Sequence, residues 1–328
     1  MRDKAAWNNS VQRVTIIGSG VIGTSWAALF LAHDLHVVVH DVDPTSEERL
    51  RNGIDSIKPT LKALGLKTTN LYEKLRFDKE LSTAVSQADL IQECGPDRVA
   101  FKRNLWAEIE RYAPGSTIFV SSSSGITTKV QAGLLREPGR LLIGHPFNPP
   151  HLVPLVEVVP HSEALPQHVE CLVNFYRAVG KTPICLRKEI PGFAANRLQT
   201  ALLREAILLV KLGVVSVDEV DAIVTNSLGL RWAVDGPFRS LHLGGGAAGF
   251  EGYLKQFSRG LQLLWLHSAL HPFYLGKSLK AKILDQIKSS FGRSSIQKLE
   301  GERDERQLAV LNALHPNKKD QQESTSRH

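Results

Sequence analysis

The chain is short of cysteine, has no long apolar run and banks charge of neither sign. Its 328 residues include three cysteines, Cys94, Cys171 and Cys185, and no two of them form a CxxC pair. That argues against a disulfide framework or a thiolate metal site. The three read as reduced, buried thiols in apparent core segments of an intracellular protein, expected in the cytoplasm. No apolar run approaches the roughly 18 residues needed to span a bilayer. The opening MRDKAAWNNSVQ carries no apolar core, so it does not read as a secretory signal. The formal charge is +7, and the basic residues are scattered. A nucleic-acid binder would want a clustered basic stripe with interleaved aromatics, and there is none. No nucleic-acid, membrane or metal partner is expected. A mild positive field suits an anionic cofactor and an anionic substrate.

What is present is a strand–helix alternation long enough for two domains. Arg13 to Gly18 (RVTIIG) is a β-branched strand that runs into Gly18-Ser19-Gly20-Val21-Ile22-Gly23, a GxGxxG loop. An apolar helix follows from Thr24 to His33, and then a second strand, HVVVHD, ends in Asp41, 18 residues after Gly23. The first glycines permit a tight turn and close approach of a pyrophosphate, and the third lets the helix pack on the strand. The helix N-terminus faces the anion. Asp41 is placed to take a ribose 2′-hydroxyl and to repel a 2′-phosphate, which favours NAD over NADP.

Pro44 to about Lys74 reads as one or two amphipathic helices with no chemistry assigned. Alternation then resumes: strand Leu75–Phe77, helix Lys79 to Gln87, strand Asp89 to Glu93, helix Val99 to Arg111. Glu93 ends its strand where open parallel sheets place ligand groups. Strand Thr117 to Ser121 empties into a serine run, Ser121 to Ser124, which is either a solvated turn or a set of substrate hydroxyls. Helix Thr127 to Leu135 and strand Arg140 to Ile143 follow.

They deliver the chain to GHPFNPPHLVPLVE, Gly144 to Glu157. Pro146 pushes His145 out of the helical region, and Pro149 and Pro150 keep the turn from becoming a helix. Glu157 sits among aliphatic residues, where a carboxylate is costly to bury unless something pairs with it. His145 is the economical partner. A carboxylate on one ring nitrogen fixes the tautomer and frees the other as a general base. Beyond helix Pro166 to Val179 and strand Thr182 to Leu186 the alternation stops. From Pro191 the pattern is helical: Asn196 to Leu212, Val217 to Leu228, then amphipathic stretches to Leu314. The expected fold is a Rossmann-type, doubly wound, mostly parallel α/β domain (1–190), an all-α domain (191–314) and a disordered tail (315–328).

GSGVIG with Asp41, IQECGPD, SSSSG, GHPFNPPHLVPLVEVVPH and PGFAANRLQ together resemble the 3-hydroxyacyl-CoA dehydrogenase family over about residues 13–250. The resemblance implies that His145 is the catalytic base and Glu157 its partner. It further implies that Ser124 and Asn196 hold substrate oxygens and that Glu93 and Lys102 contact the nicotinamide ribose. Asn196 and Lys102 enter through the resemblance alone. It also implies a homodimer joined through the helical domain. Within the family, NPPHLVPLVEVVPH, GTSWA and GLRWAVDGPFRSLHLGGG look like the branch of lambda-crystallin and L-gulonate 3-dehydrogenase, and L-carnitine dehydrogenase is similar. Acyl-CoA members usually carry GPFELxDxxGLD where this chain has GPFRSLHLGGG, and Asn at the position of Ser122. Both departures favour a free 3-hydroxy acid, L-gulonate-like, over a coenzyme A thioester. The thioester, a pathway-specific biosynthetic step and a catalytically idle crystallin-like role stay open as alternatives.

Overall fold

The structure is a computed structural model that describes residues 11–314. The tail expected from 315 lies outside the described residues. By internal contacts the chain parts into two compact units between Arg197 and Leu198.

The first unit is built on one sheet of eight strands: β1 (Arg13–Ile17), β2 (His36–His40), β3 (Leu75–Phe77), β4 (Leu90–Glu93), β5 (Ile118–Ser121), β6 (Leu141–Pro146), β7 (Leu155–Pro160) and β8 (Thr182–Cys185). Their order is β3-β2-β1-β4-β5-β6-β7-β8. All pairs are parallel except β6 with β7. Helices α1 (Val21–Ala32), α2 (Ser46–Ala63), α3 (Leu81–Val85), α4 (Val99–Tyr112), α5 (Thr128–Gln131) and α6 (Pro166–Ala178) link the strands. Strands buried on both faces need apolar side chains on both, and RVTII, VVV and LLI supply them. On one face Trp26 of α1 stacks on Tyr176 of α6, and Phe30 of α1 meets Phe175 of α6 at a tilt. A second cluster holds Trp106 of α4 stacked on Phe119 of β5. This is the expected doubly wound α/β layer.

The second unit is helical. Helix α7 (Ala195–Leu212) leads into it, followed by α8 (Val217–Ile223), α9 (Gly229–Val234), α10 (Pro237–Gly244), α11 (Gly249–Leu270), α12 (Lys277–Ser290) and α13 (Ile296–Leu314). No helix among the described residues is long and apolar enough to cross a membrane.

Several local expectations are corrected. The helix expected from Val217 to Leu228 is α8 plus a π-helical turn, Val224–Leu228. There Thr225, Asn226 and Ser227 bond back to the carbonyls of Asp221, Ala222 and Ile223, which widens the ladder. The helix expected to Leu135 stops at Gln131 and tightens to a 3₁₀ turn through Gly133, a poor helix former. The helix expected from Lys79 to Gln87 shortens to α3. Pro44 to Lys74 gives α2 and a 3₁₀ turn, Leu71–Lys74. The three cysteines are free but not all buried: Cys94 and Cys171 are half-buried, and Cys185 is exposed because β8 is an edge strand.

Candidate active site

Strand order reverses between β1 and β4, so the loops after them flank one crevice at the strands' carboxyl ends. The glycines of the first loop do separate things. Gly18 has φ +95°, and a Cβ there would lie 3.1 Å from the Cys94 backbone of the neighbouring loop. A Cβ on Gly23 would lie 1.9 Å from the Gly18 carbonyl, so only glycine lets α1 sit this close to β1. Gly20 differs: its Cβ direction is open, with nothing within 4 Å. It caps α1 with no side-chain hydrogen bond, and no acid stands in the first turn. Val21 is exposed and Ile22 half-buried beside it. The result is a helix N-terminus with uncapped amides and open space in front, which fits a pyrophosphate.

At the end of β2, Asp41 Oδ2 accepts from the amide and hydroxyl of Ser19 at 2.7 and 2.8 Å, and Oδ1 accepts from the Asp43 amide at 3.1 Å. Burial pushes this carboxyl up, but the Ser19 and Asp43 donors outweigh it and hold it below the usual range. It is thus an anion locked to the glycine loop and still half-exposed. Asp41→Ala is expected to weaken NAD binding and narrow the preference for NAD over NADP, read as the ratio of two dissociation constants by fluorescence titration. An unchanged ratio would assign the ribose contact elsewhere.

Glu93 and Lys102 form a buried ion pair, with side chains 0% and 1% exposed. Lys102 Nζ donates to both carboxylate oxygens at 2.7 Å; Ser121 Oγ and the Gly95 amide donate to the same group, each at 2.7 Å. Burial pushes Glu93 upward against these donors. With its acceptor capacity occupied, Glu93 faces inward and has no free edge for a ribose. The outward acid here is Asp97, which sequence reasoning missed although it closes the quoted IQECGPD. Its carboxylate lies 3.3 Å from Lys102 Nζ and accepts from the Ser124 hydroxyl at 3.3 Å and the Ser124 amide at 3.4 Å. Ser124 is exposed, and its carbonyl accepts from Asn196 Nδ2 at 2.8 Å. Ser124 and Asn196 are therefore brought together. Ser122 turns inward, accepting from Gln92 Nε2 at 2.8 Å and lying 3.2 Å from Cys94 Sγ.

His145 and Glu157 are paired in register across β6 and β7. Nδ1 of His145 lies 2.9 Å from Glu157 Oε2, and both side chains are buried. Glu157 Oε1 accepts from the amides of Ala194 and Ala195, each at 2.9 Å, so the start of α7 is tied to the same carboxylate. Burial would push Glu157 up; the His145 ring and these amides outweigh it and hold the carboxyl below its usual range. Phe147 and Phe193 flank the imidazole at centroid distances of 5.0 and 5.5 Å. With Nδ1 engaged, Nε2 is the ring nitrogen left to take a proton.

The chain is similar in sequence and fold to known proteins. A family model described as 3-hydroxyacyl-CoA dehydrogenase, NAD binding domain, matches residues 13–190, and its C-terminal-domain counterpart matches 192–286. An L-carnitine dehydrogenase of Bacillus cereus is 37% identical over 93% of each chain. A 3-hydroxyacyl-CoA dehydrogenase of Gibberella moniliformis is 39% identical over 93% of this chain and 94% of its own. Among solved structures, an NAD⁺-dependent dismutase, 5-formyl-3-hydroxy-2-methylpyridine-4-carboxylic acid 5-dehydrogenase, superposes with a TM-score of 0.79 at 29% identity, over 94% of this chain and all of that one. Fold and relatives together define an NAD-dependent dehydrogenase acting on a hydroxyl group. The chain belongs to the 3-hydroxyacyl-CoA dehydrogenase family.

Proposed function

We propose that the chain oxidises the 3-hydroxyl of a small free 3-hydroxy acid to the ketone, with His145 as base. The buried His145–Glu157 pair carries this reading. Bound at the glycine loop, NAD supplies the hydride acceptor. His145 Nε2 takes the hydroxyl proton, and Glu157 stabilises the imidazolium formed. Ser124 and Asn196 orient the substrate oxygens. Gly18, Gly20, Val21, Ile22 and Gly23 cradle the pyrophosphate, and Asp41 holds the adenosine ribose. On the nicotinamide side, the outward-facing Asp97 serves the ribose, and Lys102, buried between Asp97 and Glu93, holds that carboxylate in place.

L-carnitine is the first substrate to test. It is a free 3-hydroxy acid, and several curated relatives named for it are 37–39% identical over at least 90% of this chain. L-gulonate, favoured by the branch resemblance, is the second. The Gibberella relative keeps the thioester as a competing reading. Ser122 weighs less against a thioester than its identity suggested, because its hydroxyl packs inward. We expect kcat/KM with NAD to be highest for L-carnitine, then L-gulonate, then L-3-hydroxybutyryl-CoA on one preparation. Preference for the thioester would overturn the free-acid reading.

A homodimer belongs to the same proposal. Leu263, Leu264, Trp265 and Leu266 are all exposed on α11, apolar side chains that a second copy would cover. Sedimentation velocity checks it. The free thiols support a reducing, cytoplasmic location.

A further inference from the structure

Residues 147–154 join β6 to β7 and carry the backbone from His145 to Glu157. The amides of Leu152 and Val153 both turn back to the Pro149 carbonyl. Other groups of the turn are held from outside it. Lys181, 6% exposed, donates from Nζ to the carbonyls of Pro150 and Val153. Ser25, buried on α1, accepts at Oγ from the His151 amide at 2.8 Å and shares a second 2.8 Å bond with His151 Nδ1. Lys181 Nζ also lies 5.6 Å from the centroid of the Trp26 ring, on the same helix as Ser25.

A lysine is a costly way to fill this space. Burial pushes its ammonium down to about 7, and among the described residues no carboxylate opposes the shift. An apolar side chain of like volume would avoid that cost. It would also strip two turn carbonyls of their donor, and buried carbonyls left unpaired are destabilising. The ammonium has three N–H groups and the amine two, so either form serves both carbonyls.

We propose that Lys181 and Ser25 are positioning residues for the base: two ties that fix the β6–β7 turn and so set His145 against Glu157. The proposal rests on His145 being the base. It also gives α1, whose first turn faces the cofactor, a direct link through Ser25 to the turn that carries the base.

The test is a double-mutant cycle on the full chain, assayed with NAD and the best acid from the substrate comparison. Lys181→Met keeps volume and removes the donors. It is expected to lower kcat about 10–100-fold, with KM for the acid and Kd for NAD within roughly threefold. In a Glu157→Gln background the same change is expected to cost less than roughly threefold, because the geometry it protects is already lost. A purely structural lysine would give losses that multiply. Multiplying losses, or K181M within roughly twofold of wild type while H145Q is inactive, would overturn the positioning role. If K181M does not fold, S25A cuts the other tie and carries the same expectation and the same refutation. Near-wild-type activity of H145Q would instead remove the base, and the positioning role with it.

Discussion

Replacing His145 by glutamine is expected to lower kcat by about 10²–10⁴-fold, the contribution typical of a positioned general base. Glutamine is close in volume and its amide can still donate to Glu157 Oε2, so the β6–β7 pairing should persist. It cannot accept a proton at neutral pH. NAD affinity is expected to stay within roughly twofold, because the glycine loop and Asp41 are untouched. Titration of NAD and a thermal melt on the same preparation separate a lost base from a lost fold. A loss under about tenfold with intact NAD binding would take His145 out of the role.

Glu157→Gln is expected to be severe but milder, on the order of 10²-fold in kcat. The side chain has two tasks, one oxygen on the imidazole and the other on the Ala194 and Ala195 amides. If glutamine keeps its oxygen on the amides, its NH₂ meets Nδ1 and forces the proton onto Nε2. The base is then blocked by its own tautomer. Stability should respond to pH as well. Glu157 is held below the usual carboxylate range in the folded chain. Its stabilising contribution is therefore whole above that range and lost as pH falls through the lowered folded value. Melting curves of wild type and E157Q should lie apart at neutral pH and converge on acidification. A constant separation down to the most acid buffer would mean that the pair is not ionic in this sense.

What was legible in the sequence was what depends on short range. The glycine loop could be read because strand, turn, helix and terminal acid fall within one strand–helix–strand unit. The His145–Glu157 pair could be read because a proline-rich turn between two apolar runs puts both on one antiparallel ladder. Glu93 shows the limit. Its place at a strand end was visible, but burial by Lys102 from α4, Ser121 from β5 and Gly95 was not. Asp97 went unnoticed because its meaning comes from Ser124, on a loop 27 residues away. The same holds for Phe193 against the imidazole, for the two amides on Glu157 and for Lys181: each is a contact between segments distant in sequence. Cys185 looked buried because its segment is apolar, and only sheet order reveals an edge strand.

The central claim is that hydride leaves C3 of a hydroxy acid while His145 holds the proton. Its most direct test uses substrate deuterated at C3, with NMR of the reduced cofactor formed by wild type and H145Q. The account predicts deuterium at C4 of the nicotinamide on one face only, a slowed rate with labelled wild-type substrate, and almost no product from H145Q. Reduced cofactor without deuterium, or equal yield from H145Q, would contradict it.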